Sequence, residues 1–240
     1  MCVTNEGFIN QVIEDWKQNP NNLINANEND TPGKCVCDAC IAADESDDPT
    51  RVERARELFM KKDPNWVAPL GSLTDRYCKF YMTLLKKGRE INPDCRVIGD
   101  IYANYADPPR PGTKLDDHIV LRFCPAIVYP WTEQKIANFK KWWKEWRDTG
   151  VKLMFRPNFT LDGANMPLLY YRAFVECFDF ARKDGMICTD MDSLTGMYGA
   201  NGLTDYIIAS KNGSGVWKSV EELEDDYFSA FGPAEPQLRK

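Results

Sequence analysis

The sequence predicts an α/β fold of the barrel type, with a parallel sheet at its centre and helices packed outside it. Short apolar runs alternate along the chain with longer segments in which apolar residues recur at helical spacing. Such runs are typical of parallel strands buried on both faces, and the alternation indicates successive βαβ units. About six strands are recognisable, whereas a closed (β/α)8 TIM-type barrel has eight. We therefore expect an incomplete barrel of about six βα units, with the N-terminal strands missing before Met1.

The individual elements follow from these two patterns. The strand candidates lie at 21–26, 96–103, 118–124, 151–155 and 185–189, and residues 2–4 are expected to end an earlier strand. The helix candidates lie at 8–16, 51–61, 77–85, 132–148, 168–182, 203–210 and 219–230, the last stopped by Gly232-Pro233. The whole chain, 1–240, is expected to form a single barrel-type domain with one polar insertion at 28–71. An open, doubly wound sheet is the alternative, but no Gly-x-Gly-x-x-Gly motif follows a strand to support it.

Composition and charge argue against two classes of partner. The net charge is −6 and the pI about 5.0, so a broad basic face for nucleic acid is not expected. The basic residues at 140–147 alternate with tryptophans, which indicates the solvated face of an amphipathic helix. No apolar run reaches the roughly 18 residues of a membrane span. No signal peptide is recognisable, but the chain is expected to continue upstream, so the localisation is left open.

The cysteines are concentrated in one short segment. Nine are present, and Cys35, Cys37 and Cys40 form a C-x-C-x-x-C motif. Thiolates this close in a tight loop can converge on one Zn²⁺, and a structural zinc site requires four ligands. The other interpretation is unrelated thiols, or one disulfide and a spare cysteine.

The fourth ligand must come from elsewhere in the chain. Cys2 is the preferred residue, because the end of the strand before the one that leads into the insertion should lie beside this loop. Asp38 and Cys78 are the alternatives. His118, the only histidine, begins a strand and is expected at the opposite end of the barrel. The sequence therefore predicts a structural Zn²⁺ site formed by Cys2, Cys35, Cys37 and Cys40.

Carboxylates follow two of the predicted strands, and aromatic and amide side chains follow these and others. Glycoside hydrolysis generally requires two carboxyl groups, and barrels present them at the carboxyl ends of strands. The catalytic candidates are Glu28, Asp30, Asp190 and Asp192, with Asp100 inside a strand. The substrate-binding candidates are Asn27, Asn29, Tyr102, Tyr129, Trp131, Arg156 and Asn158. Each carboxylate taken alone is more commonly a loop or capping residue. Together with the aromatic residues, they predict a carbohydrate substrate.

Two sequence resemblances bear on this hypothesis. Asn29-Asp30, the cysteine motif, the segment Leu73-Thr74-Asp75-Arg76-Tyr77 and the ending at 224–234 resemble a barrel family catalogued as domain of unknown function 4838. The resemblance covers most of the chain. It implies a glycoside-hydrolase-like protein of a kind that is often secreted.

The segment from Asn27 to Cys40 is similar to family 42 β-galactosidases. There, an Asn-Glu pair at a strand end supplies the acid/base, and a C-x-C-x-x-C zinc site with an upstream fourth cysteine follows. The similarity implies Glu28 as acid/base and Cys2 as the fourth ligand. The place of those enzymes' nucleophilic Glu reads Phe155-Arg156-Pro157-Asn158 here, with no carboxylate.

The missing carboxylate leaves three readings open. Asp190 or Asp192 supplies the second group, the substrate's own acetamido group does, or the fold no longer catalyses. The rival prediction is a non-catalytic carbohydrate-binding or structural fragment of a larger protein. In either case, the exposed strand edges of an incomplete barrel are expected to favour self-association or pairing with a missing N-terminal part.

Overall fold

The computed structural model describes residues 1–18, 22–27, 34–124, 130–157, 169–191 and 198–239, and the structural statements below concern these residues. They form a mixed α/β fold around a five-stranded parallel sheet. The strands are β1 (Leu23–Asn25), β2 (Arg96–Ile101), β3 (Ile119–Phe123), β4 (Lys152–Phe155) and β5 (Cys188–Thr189). The predicted α/β class and the five main strand candidates are thus confirmed. The closed barrel stays a prediction.

The strands follow one another across the sheet in chain order, β1-β2-β3-β4-β5. β1 pairs in parallel with β2, with Leu23 opposite Arg96, and β2 pairs in parallel with β3, with Val97 opposite Ile119. A doubly wound sheet reverses direction once, whereas a barrel winds one way throughout. The observed order has no such reversal among the described strands.

Helices follow or precede each strand. They are α1 (Glu6–Lys17), α2 (Asp38–Ala43), α3 (Arg51–Met60), α4 (Thr74–Arg89), α5 (Glu133–Arg147), α6 (Tyr171–Lys183), α7 (Tyr198–Lys211), α8 (Val220–Ser229) and α9 (Glu235–Leu238). Short 3-10 turns lie at Ala68–Leu70, Ala103–Tyr105 and Gly232–Ala234. None of these helices is long and apolar enough to cross a bilayer.

Two local predictions are wrong. Residues 2–4 form a turn instead of a strand end, because the N–H of Asn5 bonds to the carbonyl of Cys2 (3.1 Å) and Asn5 then caps α1. The described part of the insertion, from residue 34 onward, contains α2 in addition to α3, the one helix expected there. The helix predicted at 219–230 ends before Gly232-Pro233 as expected, and a 3-10 turn and α9 follow it.

Contacts divide the chain into two compact units, Met1–Pro125 with Trp142–Met154, and Ala126–Lys141 with Phe155–Lys240. The single-domain prediction for 1–240 stays a prediction. In the first unit, α4 packs on β1, β2 and β3, and α1 packs on β1 and α4. Ile24, Val97 and Leu121 are fully buried in this layer. The core of this unit therefore lies between α4 and strands β1, β2 and β3.

β2 and α4 approach each other closely at one glycine of β2. Gly99 in β2 faces Tyr81, whose hydroxyl donates a hydrogen bond to the carbonyl of Asp100 (2.8 Å). A Cβ atom at Gly99 would lie 2.6 Å from the Tyr81 ring. On the other face of the sheet, Arg122 binds both carboxylate oxygens of Asp100 at 2.6 and 3.0 Å. Asp100, a candidate catalytic residue from the sequence, is therefore engaged in a cross-strand ion pair.

The second unit is built on aromatic packing and one buried lysine. Phe155 of β4 stacks on Phe174 of α6, with ring centroids 6.0 Å apart. The ammonium group of Lys211 in α7, 1% exposed, binds the carboxylate of Asp179 (2.8 Å) and the carbonyl of Lys218 (2.8 Å). This buried charge is compensated by its partners, and it joins α6, α7 and the loop before α8.

We expect Gly99→Ala to lower the free energy of unfolding by about 1–3 kcal/mol, because the added methyl group would overlap the Tyr81 ring. Urea denaturation followed by circular dichroism measures the change. Gly199→Ala in α7, where no atom of the described residues lies within 4 Å of the new Cβ, is the matched control and should be neutral or slightly stabilising. Equal stability of the wild type and Gly99→Ala would show that the close packing on Tyr81 is not required.

Candidate metal centre

The four predicted ligands converge in the first unit. The sulfur atoms of Cys2, Cys35, Cys37 and Cys40 all lie within 4.8 Å of one another. Cys2 Sγ is 3.7 Å from both Cys37 Sγ and Cys40 Sγ. A disulfide would require about 2.05 Å. The cluster is therefore close enough to bind a metal ion, and the prediction of Cys2 as the fourth member is confirmed.

Local backbone structure brings these sulfurs together. Cys2 lies in the turn that leads into α1, whereas Cys35 and Cys37 precede α2 and Cys40 is buried in its first turn. Cys37 is the N-cap residue of α2, with extended backbone angles. The C-x-x-C spacing thus places one thiol at the start of a helical turn and the next one turn later. Asp38 and Cys78, the alternative fourth ligands, lie outside the cluster.

The thiols of the cluster have different environments. The nearby backbone N–H of Cys40 lowers the pKa of Cys37 to about 6, and the other thiols support this shift. Burial raises the pKa of Cys35 to about 12. The hydroxyl oxygen of Thr4 lies 3.1 Å from Cys40 Sγ and 3.6 Å from Cys2 Sγ, so it can donate a hydrogen bond to a thiolate. Metal binding at this cluster must displace the thiol protons and is therefore expected to depend on pH.

Buried charged side chains lie next to the cysteine motif, and the sequence pattern did not predict them. Asp44, directly after α2, is bound by Arg51 at 2.8 Å and by Arg76 at 2.6 Å, and Arg76 Nε is a further donor to it. Arg76 also donates to the carbonyl of Cys35 (2.7 Å). A signal was present, because Arg76 shares the apolar face of α4 with Tyr77 and Phe80. An arginine at such a position indicates a buried partner.

A second group of possible ligands does not resemble a metal site. Asp116, Asp117 and His118 lie together before β3. However, the guanidinium of Arg89 binds Asp116 at 2.6 and 2.9 Å and lies 3.0 Å from His118 Nδ1. Arg89 holds the pKa of Asp116 below its ordinary value. A cationic side chain therefore already occupies this position, in keeping with the exclusion of His118 as a zinc ligand.

The described substrate-binding candidates lie in both units. In the first, Asn27 follows β1 and Tyr102 follows β2, and both are half-buried. The side-chain oxygen of Asn27 is buried and has no hydrogen-bond partner in the described part of the chain. In the second, Trp131 contacts Tyr170 edge to face, with centroids 6.0 Å apart.

Asp190 is the catalytic candidate described in the second unit. Asp190 follows β5, and its backbone N–H bonds to the carbonyl of Phe155 (3.0 Å). Arg156 Nη1 lies 2.6 Å from one carboxylate oxygen of Asp190, so the two residues form an ion pair between the ends of β4 and β5. Glu28, Asn29, Asp30, Tyr129, Asn158 and Asp192 lie outside the described residues.

Comparisons of the chain with protein-family models, with curated proteins and with solved structures found no match.

We expect Cys2→Ser to weaken metal binding by at least about tenfold, because it removes one of four soft ligands. Titration with Co²⁺, followed by thiolate-to-cobalt charge-transfer absorption, measures both affinity and the number of sulfur ligands. Cys188→Ser changes an exposed thiol in β5, outside the cluster, and should leave the spectrum unaltered. Wild-type affinity in Cys2→Ser would exclude Cys2 as a ligand.

Proposed function

We propose that Cys2, Cys35, Cys37 and Cys40 bind one structural Zn²⁺. The observation that carries this proposal is the sulfur spacing of 3.7 Å. Tetrahedral coordination with Zn–S bonds of about 2.3 Å requires sulfurs about 3.8 Å apart. Four thiolates leave no open coordination position for water or substrate, so the bound ion would stabilise the insertion and take no part in catalysis.

We further propose that the chain belongs to a barrel-type glycoside hydrolase in which Glu28 is the general acid/base. The support comes from the position of the cysteine cluster. Asn27 follows the carboxyl end of β1, and the segment from Asn27 to Cys35 contains Glu28 and Asp30. A metal ion bound at Cys35 would fix the far end of this segment. Residues after the carboxyl ends of parallel strands carry the chemistry in barrel enzymes.

Two further observations support a barrel enzyme. The strands follow one another in chain order, as they do in a barrel. The buried oxygen of Asn27 lacks a partner within the described residues, and leaving a buried acceptor unpaired costs about 1–3 kcal/mol. A substrate hydroxyl group that donates to Asn27 would remove this cost. The proposed substrate is therefore a polysaccharide or glycan, with Asp190 or Asp192 as sequence-based candidates for the second carboxylate.

A non-catalytic carbohydrate-binding role is the second candidate. The ion pair between Arg156 and Asp190 favours it, because it gives the Asp190 carboxylate a structural partner. In this case the zinc site would be retained and the chain would bind glycans without cleaving them.

We expect the purified protein to contain about one zinc ion per chain and to lose thermal stability when the zinc is removed, since structural zinc contributes directly to folding. Elemental analysis and differential scanning calorimetry before and after chelation measure both quantities. Readdition of Zn²⁺ should restore the original Tm. A metal-free protein whose Tm does not respond to chelator or to added Zn²⁺ would contradict the zinc proposal.

We expect Glu28→Gln to lower kcat on a cleaved aryl glycoside by at least about 100-fold, because general acid/base catalysis contributes this much. A panel of aryl glycosides identifies the substrate, and steady-state kinetics give kcat. Glu53→Gln, an exposed substitution on α3, is the matched control. Full activity of Glu28→Gln would exclude Glu28 as the acid/base, and glycan binding without turnover of any substrate would favour the non-catalytic candidate.

A further inference from the structure

Asp44, Arg51 and Arg76 form an ion triad that is almost completely withdrawn from solvent. Their side chains are 0%, 4% and 2% exposed. Arg51 comes from the first turn of α3 and Arg76 from the first turn of α4, whereas Asp44 immediately follows α2. Removing ions from water is costly, and a buried ion triad is on balance a weak source of folding stability. The contacts of the triad are therefore more informative about its role than its contribution to the free energy of folding.

Both arginines of the triad also bind the backbone that carries the cysteines. Arg76 Nη1 donates to the carbonyl of Cys35 at 2.7 Å. Arg51 Nη2 donates to the carbonyl of Ile41, the residue after Cys40, at 2.8 Å. The triad thus holds the C-x-C-x-x-C segment at both of its ends. Lys79, one turn after Arg76 on α4, adds a bond of 3.1 Å to the carbonyl of Ala43.

The charges of the triad and of a metal-bound cluster are complementary. Two guanidinium groups and one carboxylate leave one net positive charge in the buried triad. Four thiolates around a divalent ion leave two net negative charges. The triad itself is withdrawn from solvent, so salt screens its charge less than it would screen a surface charge. The positive group therefore favours a negatively charged metal–thiolate cluster beside it.

We propose that Arg76, with Asp44 and Arg51, is a positioning residue that sets the affinity and lifetime of the metal bound by the four cysteines. This inference rests on the zinc site proposed above. Arg76 acts through the carbonyl of Cys35 and through its charge. Partners of this kind, outside the ligand shell, typically alter metal affinity by about 10–100-fold.

The test compares Arg76→Met, which removes the charge and the hydrogen bonds at similar length, with Arg76→Lys, which keeps the charge. We expect zinc transfer to a chromogenic chelator to be at least about tenfold faster from Arg76→Met than from the wild type, and intermediate from Arg76→Lys. Arg122→Met is the matched control, since it breaks a bidentate ion pair with Asp100 elsewhere in the same unit. Its transfer rate should equal that of the wild type.

A second measurement separates positioning from ordinary destabilisation. The increase in Tm that saturating Zn²⁺ gives to the metal-free protein reports the coupling between the metal and the rest of the chain. We expect this increase to be smaller in Arg76→Met than in the wild type and to be unchanged in Arg122→Met. A merely structural role of Arg76 would lower the Tm of the metal-free and zinc-bound forms equally. If Arg76→Met does not fold, Arg76→Lys carries the same prediction with a smaller effect.

The outcomes distinguish this inference from the zinc proposal. A wild-type protein that binds zinc, with equal transfer rates and equal Tm increases in the wild type and the Arg76 variants, would overturn the positioning role and leave the zinc site in place. A wild-type protein that binds no metal would overturn both.

Discussion

The carboxylate of Asp44 has no contact with solvent and lies between the guanidinium groups of Arg51 and Arg76. An isolated carboxylate in this position would be strongly unfavourable, so the two arginines compensate the charge that α2, α3 and α4 bury when they pack together. The same arginines bind the carbonyls on either side of the cysteine motif. The position of three sulfurs therefore depends on one buried charge and its two partners.

Helix α4 connects this polar region with the sheet. Tyr81 packs on Gly99 of β2, and Arg76, about one and a half turns earlier, reaches the cysteine segment. Both contacts lie on the buried side of one continuous helix. The cysteine segment of the insertion is consequently connected to the sheet core through α4, although the insertion follows β1 in sequence.

Periodicity was sufficient to predict the strands and most helices, because each depends on local burial. Cys2 was predicted from its expected place at a strand end beside the insertion; the residue was right, although residues 2–4 form a turn and not a strand. The arginine triad was not predictable, because Asp44, Arg51 and Arg76 are separated in sequence and charged residues are by default assigned to the surface. Helix α2 was missed because its six residues carry too little periodicity. The proposed carbohydrate site would depend on side chains after several strands, whose arrangement the chain pattern alone does not specify.

The cysteine cluster also joins two parts of the chain that are far apart in sequence. Cys2 and Cys37 are 35 positions apart, and α1 and β1 lie entirely between them. A bound ion would crosslink the two ends of this stretch. Such a crosslink restricts the unfolded chain, an effect worth about 4 kcal/mol for this span. The ion would then act on the first helix and strand as well as on the cysteine loop itself. Their fraying, and the access of proteases to them, would be governed by the occupancy of a site that neither element contributes to.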